Sequence, residues 1–497
     1  MQRFLLLMMF GITSMAMAQT ATTSNATSPI TSELRFEEML DIALKNNIDV
    51  NLAYINQQQA EIDLLQSKLN LTPSLTGNAG QFYQSGRSID RFTNQFVQKT
   101  IGSNNFQLQG SWVLFAGSQN RNAYKQSQEL AEASGWDVKA QQYTLTLLLA
   151  QAYVQHLQAL EQKKAAERLV AASELQVKKA EIMFKEGGSN KGAYLSVKAQ
   201  LANNLSTLTT ANNTANQTLL ALKQVMRVKL TQPLLINDVG FGLQENDIAQ
   251  LDKVEAQAIF DSLLMKRPEY QAAFNRLDAA RYAVKVAKGS LYPTLSLGAN
   301  LSTVYSDNAK SLTGYTISGT QAIGYLPSTM EAVYAPTFDY QMKTIAFNKQ
   351  LKDNFGQSLG LNLSIPIYQG LRNHNQISYA NLALDRAELN LVRIAQNAEN
   401  DIFQVVANYK NAKERMQATL ENHQMQKENL EYVLLRHEQG AASMLELQIA
   451  QNNEANAHWS YISARHEWVF RAFVLDFYRK MASGDAVDAP SLQNLKK

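Results

Sequence analysis

Six histidines are the first places to look for chemistry in this chain: His156, His374, His423, His437, His458 and His466. His423 and His437 share one helical stripe but stand fourteen residues apart, too far for shared ligation, so a solvated face accounts for them better. The segment Gly187-Gly-Ser-Asn-Lys-Gly192 has the glycines and lysine of a phosphate loop. It lacks the Walker spacing and follows a helix instead of a strand, so it reads as a turn. No Gly-x-Ser-x-Gly, His-Glu-x-x-His or dinucleotide fingerprint occurs. There are no cysteines, which removes disulfides, thiolate metal sites and cysteine nucleophiles. The sequence therefore predicts no catalytic residue, no cofactor and no metal centre, and an enzyme reading has nothing to stand on.

Bulk charge narrows the partners. Lys+Arg number 46 against 43 Asp+Glu, a net charge of +3 over 497 residues. With no long basic run, no nucleic-acid partner is expected. Residues 1–18 read as a secretory signal: Arg3 supplies the charge, Phe4 to Ile12 the apolar core, and Ala16-Met17-Ala18 the cleavage site. Beyond it no apolar run approaches the ~20 residues a membrane helix needs. Such an exported chain either stays in the periplasm or crosses a membrane as a β-barrel.

The elements that would position any site are written twice. Asp41, Leu44, Ala53, Ala60, Lys68, Leu71, Pro73, Leu75 and Ala79 recur at a constant offset of 220, as Asp261, Leu264, Ala273, Ala280, Lys288, Leu291, Pro293, Leu295 and Ala299. Past the first strand the offset becomes 253: Leu108, Ser111, Gly117, Asn120 and Asn122 return as Leu361, Ser364, Gly370, Asn373 and Asn375. One structural unit was used twice, with 33 extra residues at one place in the second copy. The first repeat spans 19–230 and the second 254–482, with a linker at 231–253 and a polar tail at 483–497.

Each repeat opens with helices that Pro73 and Pro293 stop. Strict alternation follows. Leu295, Leu297, Ala299 and Leu301 share one face against Thr294, Ser296, Gly298, Asn300 and Ser302. Leu359, Leu361, Leu363, Ile365 and Ile367 alternate with Gly360, Asn362, Ser364 and Pro366, and Phe106, Leu108, Trp112 and Leu114 with Gln107, Gln109 and Ser111. A small uncharged polar face opposite an apolar one fits strands with lipid outside and water inside. The strand pairs span 73–115 and 293–368. Their connections are unequal, and the second, a long loop at 306–357, holds the extra residues, which could narrow a mouth or bind a surface partner. Long proline-free helices then run over 118–186 and 371–439, each able to reach ~100 Å at 1.5 Å per residue. The second carries a heptad through Leu391, Ala395, Ala398, Ile402, Val405, Tyr409, Ala412 and Met416. Gly187 and Gly440 close these helices, and return helices follow over 190–228 and 443–480.

Four lipid-facing strands cannot stand alone, because two open edges of unpaired N–H and C=O groups would face hydrocarbon. Several copies must close a barrel in cyclic symmetry. Two give eight strands, whose interior only side chains fill; three give twelve, which suits a polar inner face. Closure favours three or more copies without fixing three.

This combination, with the Phe115-Ala-Gly117 and Tyr368-Gln-Gly370 strand exits, resembles the TolC family of outer-membrane efflux proteins. The resemblance implies a mixed α and transmembrane β fold: a homotrimer whose twelve-stranded β-barrel crosses the outer membrane lipid of a Gram-negative cell and continues into a long periplasmic α-helical barrel. It implies a passive exit duct working with a periplasmic adaptor and an inner-membrane pump of RND or ABC type. It places adaptor docking at the hairpin tips, around Phe184, Gly187, Gly188 and Ser189 and around Gly440, Ala441 and Ser443. It places a gate just past the inner tip. Glu446, six past Gly440, matches; Ile449, where the next acid is due, and Ala193, the counterpart six past Gly187, do not, so the expectation is a single-acid gate. An acid in the first helical turn is equally accounted for by the helix dipole. The competing readings are a structural coiled-coil envelope protein or adhesin, and a dedicated type I polypeptide secretion channel.

Overall fold

The computed structural model describes residues 33–89, 96–98, 100–236, 241 and 250–483. The signal segment, much of the linker and the tail past Ser483 lie outside the described residues. The chain divides into two units. One comprises 1–51, 141–263 and 401–497; the other comprises 52–140 and 264–400.

The helices are α1 (Phe36–Asn46), α2 (Ile48–Leu69), α3 (Gln119–Lys185), α4 (Lys191–Met226), α5 (Ala256–Leu263), α6 (Pro268–Gly289), α7 (Phe347–Asp353), α8 (Arg372–Glu438) and α9 (Met444–Ser483). The strands are β1 (Ser74–Gln84), β2 (Arg87–Ile89), β3 (Phe96–Gln98), β4 (Ile101–Ala116), β5 (Thr294–Ser306), β6 (Lys310–Tyr325), β7 (Ala332–Thr344) and β8 (Gly356–Ser364). No described helix is long and apolar enough to cross a membrane.

In the strand-bearing unit, four strands form one antiparallel sheet in the order β1-β4-β5-β8. Its central seam joins the two repeats, because β4 belongs to the first copy and β5 to the second. With 9 to 16 residues each, the strands meet the ~9–11 that a tilted membrane strand requires. Leu359, Leu361 and Leu363 share one face of β8 and are 75%, 67% and 58% exposed, and the residues between them are exposed as well. β8 stops at Ser364 although the apolar alternation runs on to Ile367; Pro366 has no N–H to give the ladder.

The second connection differs from the loop expected over 306–357. It folds as the hairpin β6–β7 followed by α7. Three register shifts, ending at Gly314, Gly319 and Gly324, let glycine take up the bulges. The hairpin is anchored at its base by Gln350, which is 1% exposed. Its Oε1 accepts from Ser306 N–H at 2.9 Å, and its Nε2 donates to the Ser306 and Ile345 carbonyls at 3.0 and 2.8 Å. Phe347 packs edge-on against Tyr305, with ring centres 4.9 Å apart. Glycine, serine and threonine content read as loop because a two-stranded ribbon with both faces exposed carries no buried stripe to announce it.

Two packed clusters mark the helical unit. One cluster joins Leu251, Ile259 and Leu263 to Ile402, Val406 and Tyr409 of α8 and Leu475 and Phe477 of α9. Val406 is buried where the heptad nominated Val405, because α8 packs here against both α9 and the 251–263 segment, a stripe wider than a two-helix seam. Tyr409 O–H donates to Asp252 at 2.8 Å, and Lys413 binds the other carboxylate oxygen at 2.6 Å. These contacts hold Asp252 below the usual carboxylate range, the Lys413 bond first among them. A second cluster is aromatic. Phe36 meets Phe241 at 5.0 Å, Phe473 at 5.3 Å and Tyr153 at 5.8 Å, so α1 is pinned to α3, α9 and the linker.

Candidate functional site

The sheet is the first part of the site. Pro73 and Pro293 stand immediately before β1 and β5, and Gly117 and Gly370 follow β4 and β8. Both glycines have positive φ, 56° and 58°, and each is followed by a left-handed residue, Ser118 or Leu371. Two consecutive left-handed residues turn the chain from strand to helix, a conformation glycine adopts without a Cβ penalty. Polar groups line one face: Gln107 Nε2 donates to Asn300 Oδ1 at 2.9 Å, and Ser74 and Ser111 hydroxyls meet at 2.8 Å. No charged residue lies within β5 or β8.

The two hairpin turns in the helical unit repeat one device. Gly187 (φ 76°) donates to the Phe184 carbonyl at 3.2 Å while Gly188 donates to Met183 at 2.8 Å. Gly440 (φ 71°) donates to His437 at 3.0 Å while Ala441 donates to Arg436 at 2.7 Å. Each is a Schellman closure of a long helix. The return helices start alike: Asn190 Oδ1 accepts from Ala193 N–H at 2.8 Å, and Ser443 Oγ from Glu446 N–H at 3.2 Å. Phe184 stacks on Tyr194 at 5.7 Å, and Ser189 lies in the turn between the glycines and Asn190.

Glu446 thus occupies the third position of its helix, where a carboxylate faces the positive helix end. Its side chain is 53% exposed and lies 4.0 Å from Arg436. Arg436 also donates to the Ala441 carbonyl at 2.8 Å. His437 Nδ1–H donates to the Ala442 carbonyl at 2.9 Å, so this histidine belongs to the turn. Below the turn, Val433, Ala442, Leu447 and Ala450 form a small core. Gln448 bonds Gln200 across the two hairpins.

One grouping escaped the sequence reading. His423, paired there with His437, instead faces His458 on α9, with Nε2 and Nδ1 3.3 Å apart. Glu454 lies 3.6 Å from His423 Nδ1. Burial, then the neighbouring His423 ring, hold His458 below the ordinary imidazole value. These residues line a groove of about 560 Å³ that Leu169, Leu430 and Trp459 also border, with Arg168 and Lys427 at its walls. The signal was present: Glu454 and His458 stand four apart on one helix, and His423 and His458 are nearly equidistant from the Gly440 turn. Of the remaining histidines, His156 is 4% exposed and Nδ1 lies 3.0 Å from Thr218 Oγ1.

The profile of the family described as Outer membrane efflux protein matches residues 39–226 and 259–472. Outer membrane efflux protein BepC of Brucella suis is 21% identical over 436 residues, 87% of this chain and 82% of its own length. Pyoverdine export outer membrane protein OpmQ of Pseudomonas aeruginosa is 25% identical over 272 residues, 54% of this chain and 55% of its own. Among solved structures, the Campylobacter jejuni CmeC outer membrane channel shares the fold with a TM-score of 0.69 at 18% identity, covering 90% of this chain and 86% of its own. The open state of the Neisseria gonorrhoeae MtrE outer membrane channel does so at 0.67 and 18%, covering 92% and 91%.

Proposed function

The chain belongs to the outer membrane efflux protein family and is an exit duct of the outer membrane, not an enzyme; from that premise we propose that it works as a homotrimer closed by strand pairing between chains. The observation that carries this is the seam between the repeats. Inside the chain, β4 of the first copy pairs with β5 of the second over Ser103 to Ala116. The same sequence unit leaves β8 and β1 at the outer edges of the sheet. β8 is the repeat counterpart of β4, and β1 of β5. Pairing β8 of one chain with β1 of the next therefore reuses a seam the sequence already encodes. Such pairing removes every open edge, as hydrocarbon requires. Three chains of four strands give twelve, wide enough for an aqueous lumen lined by the Gly, Ser and Asn face.

In this reading the twin turns at Phe184, Gly187, Gly188 and Ser189 and at Gly440, Ala441 and Ser443 dock a periplasmic adaptor, which couples the duct to an inner-membrane pump of RND or ABC type. Glu446, exposed beside the inner turn, is the candidate gate.

The seam has a register that can be tested. Gly110 pairs with Ala299 and Ser111 with Gly298, so transfer by the repeat offsets aligns Leu363 with Ala79 and Ser364 with Asn78 of the neighbour. The chain has no cysteine, so any disulfide comes from the introduced pair. Double variants Ala79→Cys with Leu363→Cys, and Asn78→Cys with Ser364→Cys, should give dimer and trimer bands without reductant in at least one of the two registers. Monomer alone from both, with correctly inserted protein, would overturn the closure.

A further inference from the structure

The groove between α8 and α9 holds three side chains with the chemistry of a metal ligand set, and a passive conduit has no need of them there. His423 comes from the outgoing arm of the hairpin; Glu454 and His458 come from the returning arm, one turn apart. One donor atom of each lies within 4.8 Å of the other two. A tetrahedral zinc site with bonds of ~2.0–2.1 Å puts its donor atoms ~3.4 Å apart. With His423 offering Nδ1, the 3.6 Å from that nitrogen to Glu454 Oε1 is close to that spacing; the 3.3 Å contact to His458 Nδ1 is made by the other ring nitrogen, Nε2, and sets the two imidazoles side by side at the site.

A second observation points to a ligand. His423 Nδ1 is buried and has no hydrogen-bond partner, a costly state for a polar nitrogen out of water. The His423 ring is held in place by stacking on Tyr461, with centres 5.9 Å apart and planes 6° from parallel. All three ligand residues are only partly buried, and the groove leaves an approach for an ion and room for a water. Two imidazoles with one carboxylate match zinc, cobalt or nickel, whereas calcium and magnesium take oxygen ligands.

We infer that His423, Glu454 and His458 bind a single divalent cation of the zinc type, with water completing the coordination. Because the ligands come from both arms, the bound ion ties α8 to α9 on the helical hairpin that ends at the Gly440 turn. Arg168 and Lys427 at the groove walls oppose the ion's charge, so the carboxylate is required along with the imidazoles.

The test uses the whole mature chain in detergent, without a histidine tag and stripped with chelator. Cobalt(II) is titrated and followed by its visible d–d absorption, then displaced with zinc. The expected result is one saturable site per chain, the spectrum of a low-coordinate cobalt ion, release by zinc but not by magnesium, and a higher melting temperature with zinc. His458→Ala and Glu454→Gln should each weaken binding by at least ~10-fold, since even a lost outer partner of a metal ligand costs that much. His374→Ala should leave it unchanged. Absence of saturable cobalt binding by the folded wild-type chain would overturn the site and leave a hydrogen-bonded imidazole pair. So would unchanged binding in a folded His423→Ala, His458→Ala double variant, with helicity checked by circular dichroism.

Discussion

Gly117 and Gly289 occupy each other's side-chain space. A Cβ added to Gly117 would fall closer than 3.0 Å to the Gly289 carbonyl and to Tyr292 Cβ, and one added to Gly289 would do the same to the Gly117 carbonyl and Gln119 Cγ. The exit of β4 and the end of α6 therefore meet backbone to backbone. Gln119 Nε2 closes the contact by donating to the Val286 carbonyl at 3.3 Å. This joint holds the central seam of the sheet to the helices on which it stands.

Gly289→Ala should force these segments apart at a cost of about 1–3 kcal/mol, the range of overpacking in a tight site. Gly370, with φ 58° but open space around its Cβ position, should show in Gly370→Ala only the left-handed penalty of about 1–2 kcal/mol within a single chain. Thermal unfolding followed by circular dichroism measures both, and a melting temperature of Gly289→Ala equal to that of the unsubstituted chain would refute the contact.

Phe36→Ala removes the ring that joins Tyr153, Phe241 and Phe473. At 4% exposure its loss should cost about 3–5 kcal/mol, as for other buried phenylalanines. Phe36→Leu, which keeps much of the volume, should cost markedly less. Thermal unfolding followed by circular dichroism separates the two variants.

Glu446 bears on conduction. If it forms the constriction, Glu446→Gln should raise single-channel conductance in planar bilayers and weaken block by divalent cations. Arg436→Ala, which frees the carboxylate, should strengthen that block. Unchanged values in both variants would leave Glu446 as a helix-starting acid only.

His156 gives the helical unit a pH dependence of known sign. Burial lowers its pKa from 6.5 to about 4, so the folded chain keeps the ring neutral where the unfolded chain protonates it. Its contribution is complete above about pH 6.5 and is lost progressively as pH falls to about 4, since the unfolded state binds more protons in that window. His156→Gln should flatten the fall in melting temperature between pH 6.5 and 4. An unchanged slope would place the acid sensitivity elsewhere.

The sequence by itself determined the repeat and the element types within it. The alternation from Thr294 to Ser302 and the heptad through Ile402 and Tyr409 are written in residue order, because strands and helices impose periods that neighbouring residues must obey. The turns at Gly187 and Gly440 were legible for the same reason: a left-handed closure selects glycine locally. Tertiary structure decided what depends on pairs distant in the chain. It brought β4 to β5 across the two copies and set Gly117 against Gly289. It made a hairpin of the segment after Ser306, whose two exposed faces leave no periodic trace. It also placed His423 opposite His458 rather than with His437, because two helices folded back on one turn bring together residues equidistant from it. One-dimensional spacing along a single helix does not register that pairing.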